Sequence, residues 1–359
     1  MSIEHVAGAA LVLLFLADIF LTVLYARAGT GLLAPRWNRF VWAMVKRIAP
    51  LFGRRRAAVL SAAGPLIVVL LIVFWSLGLT IGAALIIRPE LGTAIRPSTE
   101  QASTDFASAL FVAGNSLSIV GGGDHLPHTD ATRFLFLVNS LIGASVLSLV
   151  LSYLVQVYSA LRERNALALT IDLMTDGTGD AAVMLARLVP GGDAGTATSE
   201  LGNLARALAA TKEAHHFYPL LFYFRFEEPR YAVPRFGFVL LDLAALIDAA
   251  LDHRQYAGLT GSAALASLRQ ATLMLLETLD GHLPTGAKHP CDAEEAWRYR
   301  QSYAAARRRL TDAGIAGPPD GVERYVVARA EWSPLVHRIA PAVGDTMRDI
   351  DPRTPQRRA

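Results

Sequence analysis

Apolar residues gather in three long runs within the first 161 positions of the chain. The first extends from about Val6 to Ala26 (VAGAALVLLFLADIFLTVLYA), the second from about Ala57 to Ile87, the third from about Phe134 to Leu161. A helix needs about 20 mostly apolar residues to cross a bilayer, so each run predicts a membrane span. The first begins with Glu4 and His5, not a basic segment, and is expected to be retained as a helix. It holds one acid, Asp18. A carboxyl at that depth is either functional or hydrogen-bonded so as to orient the helix.

Between the second and third runs the period shortens. In TDFASALFVAGNSL, residues 104–117, Phe106, Leu110 and Ala113 share a helical face with Ala109 and Leu117. Thr104 is a candidate N-cap, with Asp105 in the first turn. The predicted helix is too short to span. Gly121, Gly122 and Gly123 follow, then Asp124 and Pro127. A short helix and a glycine-rich return predict a re-entrant loop, which survives only where protein buries it or water reaches it. Glycine opens backbone conformations closed to other residues. Carbonyls freed from regular bonding can then replace the water around an ion.

Beyond Leu161 the pattern becomes that of soluble helices, expected at 180–189, 198–214, 235–254, 262–279, 293–313 and 319–331. Loops are expected at Asp176–Gly179 and Pro190–Gly195. The 235–254 stretch is apolar but carries Asp242, Asp248 and Asp252, which predicts a buried helix of a soluble domain and not a fourth span. No alternating strand pattern persists in this half. A dinucleotide-binding domain would need a strand before a GxGxxG loop, and the Gly177–Gly179 pair has neither. The tail DPRTPQRRA is expected to be disordered.

Composition agrees with a membrane protein. Hydrophobic residues make up 53% and charged residues 18%, against about 25% charged in soluble domains. A net charge of +3 without a basic, aromatic-interleaved stripe does not predict nucleic-acid binding. The single cysteine, Cys291, excludes an intrachain disulfide and a CxxC site. Lys and Arg set orientation. Arg27, Arg36, Arg39, Lys46, Arg47 and Arg54–Arg56 follow the first run and predict a cytoplasmic loop. Arg88 and Arg96 sit among Glu90, Glu100 and Asp105 and predict an outside loop. Arg162 and Arg164 place the C-terminal part in the cytoplasm and the N-terminus outside. His215 and His216 are adjacent and point apart on a helix, which favours core packing over a shared metal. Arg307–Arg309 are expected on a solvated face or at acidic lipid. No nucleophile is paired with a base, so an enzyme is not expected.

The span from about Ala57 to Arg164 resembles the two-helix pore domain of tetrameric potassium channels. The match is ALFVAGNSLSIVGGGDHLP, then Thr129, Arg133 and Gly143 at the family's spacing. Where the family's filter reads Thr-Val-Gly-Tyr-Gly-Asp, this chain has Ile119, Val120, Gly121, Gly122, Gly123 and Asp124, preceded by Ser118. The resemblance implies a homotetramer in the bilayer and monovalent cations, potassium among them, as permeant ions, with no cofactor. It implies that Ser140, Ala144, Leu147 and Leu151 of the inner helix face the cavity. Leu147 and Leu151 would then form an apolar constriction. Gly143 stands either as a hinge or as a close-packing residue. The departures bear on selectivity. Ile119 lacks the filter hydroxyl, and Gly122 lacks the tyrosine ring that braces the filter. Selectivity for potassium over sodium therefore does not follow from the resemblance. Asp124 would form a ring of acids that concentrates cations. His125 and His128 stand at the outer mouth, as a sensing ring or as solvated loop residues.

The expectation is an all-α multi-pass protein of a bacterial inner membrane. Residues 1–56 form an N-terminal transmembrane helix and basic loop, 57–164 the pore domain, 165–345 a helical cytoplasmic domain and 346–359 a disordered tail. The function expected is a cation channel. The alternative is a non-conducting, pore-like sensor or scaffold whose cytoplasmic helices carry the output.

Overall fold

The computed structural model describes residues 2–25, 31–97, 103–118, 123–283 and 292–353. Ile119, Val120, Gly121 and Gly122 of the expected filter lie outside the described residues, as do Arg27, Glu100, Cys291 and residues 354–359. The fold is all-α, with one pair of three-residue strands.

Three helices are long and apolar enough to cross a membrane, among the described residues. α1 is Ile3–Ile19 and continues as a wider π turn through Phe20–Leu24. α2, Ala34–Ile48, occupies what the sequence suggests is a basic loop. Its dense Arg and Lys hide an apolar period: Ala34, Val41, Trp42 and Val45 are buried, together with Asn38. α3, Arg56–Ser61, leads into α4, Ala63–Ile87, the second span. α5, Phe106–Leu117, is the short helix expected before the glycines. α6, Asp130–Met174, is the third span and runs 45 residues without a break. It outlasts its apolar run because no Gly or Pro stands between Ala144 and Met174.

The chain divides into two compact units. The first contains residues 1–42 and 65–158. In it α1 packs directly on α4. A Cβ on Gly8 would lie 2.5 Å from the carbonyl oxygen of Gly82, so the two backbones touch where both residues are glycine. Phe15, Ile19, Leu71, Trp75 and Val150 form one core, and Ala83, Ile87, Ile95, Ala109 and Val112 another.

The second unit contains residues 43–64 and 159–359. It includes α7 (Ala181–Leu188), α8 (Ala197–Phe217), α9 (Val233–Ala250) and α10 (Ala257–Thr260). It continues with α11 (Ala263–His282), α12 (Ala293–Asp312), α13 (Gly321–Ala342) and α14 (Met347–Ile350). α9 is buried on nearly every side, packed by α7, α11 and α13, as expected for a core helix. α13 runs past its expected end through Pro334 and Pro341. Burial of Val336, Ile339 and Ala340 opposes the helix-breaking cost of proline, about 3 kcal/mol. The tail also departs from expectation. Residues 346–353 are ordered, with Ile350 and Asp351 buried and Arg353 paired with Asp242.

Candidate functional site

The site is built from α5 outward. Its N-cap is Asp105 and not Thr104: the Asp105 carboxylate accepts from the Ser108 amide at 2.7 Å. Ala109, Val112, Ala113 and Ser116 form its buried face. Ala109, Val112 and Ala113 pack on the C-terminal part of α4 and on Leu91 and Ile95. α5 ends cleanly at Ser118, whose backbone turns extended (φ −72°, ψ 141°).

Gly123 and Asp124, at the end of the glycine-rich stretch, are both exposed. The chain then enters β2, His125–Pro127, which pairs antiparallel with β1, Ile95–Pro97. The His128 amide donates to the Ala94 carbonyl at 2.9 Å. Thr129 and Thr132 exchange hydrogen bonds at the start of α6. The chain after Asp124 is thus tied to the segment that follows α4. Three-residue strands carry too little alternation to be read from sequence.

One cavity of about 240 Å³ is lined by Asn115, Ser118, Gly123, His125 and Ser140, with Phe136. The structure thereby brings Ser118 and Gly123 of the expected filter together with Ser140 of α6. A second cavity of about 250 Å³ is lined by Ser118, Gly143 and Leu147 with Trp75, Thr80 and Leu117. Ala144 is half-buried and Leu151 exposed, outside both. His125 departs from a solvated loop residue: neither ring nitrogen has a hydrogen-bond partner, and both are shielded from solvent. His128 is exposed.

Gly143 faces the end of α5. A Cβ there would sit 1.8 Å from the Leu117 carbonyl oxygen, so only glycine allows this approach. One helical turn nearer the N-terminus of α6, Asn139 Nδ2 donates to Ser116 Oγ at 3.0 Å, and Ser116 Oγ donates to the Ala113 carbonyl. This buried brace between α5 and α6 was not singled out by sequence. The signal was an amide in an apolar helix, which must find a partner when buried.

Asp18 resolves as a structural acid. It is fully buried and accepts from the Leu33 amide at 2.7 Å, the Ala34 amide at 3.2 Å and Trp75 Nε1 at 2.8 Å. It therefore serves the first amides of α2 from another helix, where the partial positive charge of a helix start favours an acid.

In the second unit, Arg164 is buried without a carboxylate partner. It donates to the Leu221 and Phe224 carbonyls at 2.9 and 3.1 Å, fastening the aromatic run Phe217–Phe226 to α6. His215 is buried against Phe222, with Nδ1 2.8 Å from the Thr211 carbonyl. Burial first, then the Arg164 charge, pushes it down to about 3. Arg307 and Arg309 are not simply solvated: Arg307 donates to the Ala250 carbonyl, and Arg309 pairs with Asp180. Among the described residues no group of three His, Cys, Asp or Glu side chains is placed to hold a metal.

A family model described as "Ion channel" matches residues 66–160. That interval contains most of α4, all of α5, the glycine-rich stretch after it and most of the apolar part of α6. Residues 66–160 thus form an ion-channel domain of the two-helix, pore-loop type. The chain is also 23% identical over 174 residues to the uncharacterized membrane protein YdjJ of Bacillus subtilis (strain 168). The alignment covers 48% of this chain and 50% of that relative, so the chain spans about half the length of the curated relative it matches. No solved structure matches.

Proposed function

We propose that this protein is a cation channel in which four copies surround one axial path. The N-terminus lies outside and the second unit in the cytoplasm of a cell bounded by an inner membrane. Residues Ser118–Gly123 line the narrowest part with backbone carbonyls, and Asp124 forms an acidic ring at the mouth. Ser140, Ala144, Leu147 and Leu151 line the path below, and Gly143 sets the spacing between α5 and α6. One observation carries this reading: a short capped helix, cradled on α4, delivers its last residue to a glycine-rich segment whose far end is fixed by β1 and β2. The permeant ions are monovalent cations. Ile119 and Gly122 remove the hydroxyl and the ring that a strict potassium filter would use.

Those same two residues favour a second reading, a pore-like sensor that does not conduct. Liposomes separate the two. Purified protein in vesicles loaded with potassium chloride should release potassium on dilution into sodium chloride, and Asp124→Asn should slow that release. Four-chain species in cross-linking without any release would support the sensor.

A further inference from the structure

The ordered C-terminal segment enters a built, buried polar site in the second unit. Arg329 on α13 and Asp242 on α9 are both shielded from solvent. The Arg329 guanidinium lies 4.9 Å from the ring centres of Phe238 and Tyr299. It donates to Ser302 Oγ at 2.8 Å and to the Tyr325 hydroxyl at 2.7 Å. The Tyr325 hydroxyl donates to Asp242 at 2.6 Å. Asp180, which caps α7 through the Ala182 amide, pairs with Arg309 at 3.2 Å.

The segment leaves α13 by a left-handed turn at Gly344 (φ +85°), and Asp345 pairs with Arg225 at 2.8 Å. The Asp349 carbonyl accepts from Arg235 at 3.3 Å, and Ile350 is buried. Asp351 then pairs with Arg329. Arg353 pairs with Asp242, and with Asp180 at 3.2 Å.

The charges balance in a particular way. Without the segment, the host keeps the buried pair Asp242 and Arg329, and the buried Asp180 with the more exposed Arg309. Arg329 and Asp242 already stand 3.7 Å apart and can close on each other. The inserted pair, Asp351 and Arg353, is balanced too. Separation therefore leaves each host acid with an arginine partner, whereas removing one of the inserted charges strands its partner. Matched poles joined by charge-assisted hydrogen bonds are the chemistry of ligand recognition.

We propose that α9 and α13 form a binding site for a short peptide bearing an acid and an arginine two positions apart, and that Thr346–Arg353 of this chain is its resident, exchangeable occupant. The Gly344 turn is the hinge on which the occupant leaves and returns.

The test uses a chain ending at Asp345 beside the full chain, both purified in detergent, with a fluorescein-labelled peptide of residues 346–353 as probe. The shortened chain should bind the peptide saturably. The full chain should bind it about tenfold more weakly or worse, because a tethered occupant competes at high effective concentration. A peptide with the acid and arginine exchanged should not bind the shortened chain. A folded shortened chain without saturable binding, equal binding of the exchanged peptide, or a shortened chain that does not fold would each overturn the proposal. Hydrogen exchange on the intact chain gives a second reading. The amides of Ile350, Asp351 and Arg353 should exchange at least about tenfold faster than those in the middle of α9, by local opening. Equal rates would show that the segment is integral to the core.

Discussion

Single residues carry several of the main constraints. Asp18 is an acid at membrane depth whose role is now explicit: it accepts two amides at the start of α2 and the Trp75 indole. Asp18→Ala leaves those donors without their acceptor, at a cost of about 1–3 kcal/mol each where burial is complete. The variant should melt well below the native protein in detergent, and Asp18→Asn, which keeps one acceptor, should melt in between. Equal melting of Ala and Asn variants would deny the capping role. His215 makes a pH prediction. Its folded pKa of about 3 lies below the ordinary value near 6.5. Between those values the unfolded chain binds the extra proton. Its contribution to stability is therefore full above about pH 6.5 and falls as pH drops towards 3, by up to about 1.4 kcal/mol per unit. Unfolding followed by circular dichroism from pH 7.5 to 5 should show a shallower decline in His215→Phe than in the native chain. Identical slopes would contradict burial of the neutral ring.

Elements differ in how openly the sequence announces them. α5 is legible because an acid stands at its start, a short apolar face follows, and a glycine run lies a few residues beyond its end. α9 is legible because its acids contradict a span, although only packing reveals that Asp242 faces Arg353. The far end of α6 is not, since Arg162, Glu163, Arg164 and Asn165 break the apolar run without breaking the helix. Arg164 reads as a cytoplasmic marker, and nothing local reports that two carbonyls nearly 60 positions away bury it. The segment 346–353 reads as tail because its one apolar anchor, Ile350, sits among charges whose partners are distant in sequence. At α6, contact geometry favours a close-packing role for Gly143. A methyl group there would meet the Leu117 carbonyl, so Gly143→Ala should destabilise the protein by roughly 1–3 kcal/mol, the range for overpacking. A freely bending hinge would instead gain from alanine's better helix propensity. Thermal melting in detergent distinguishes them: a lower midpoint supports close packing, and an unchanged or higher one contradicts it.

At the scale of the whole molecule, three membrane-length helices and an ion-channel domain are joined to an all-α second unit. The broad class was legible because membrane thickness imposes run lengths and because glycine, acid and proline punctuate the pore loop. The central claim is that cations pass through a path lined by Ser118–Gly123. Purified protein in planar bilayers, under opposed potassium and sodium gradients with equal chloride, tests it most directly. The account predicts a cation current reversing near zero, moving towards the potassium equilibrium potential when Ile119→Thr and Gly122→Tyr are combined. A folded four-chain assembly that passes no current in either form would contradict it.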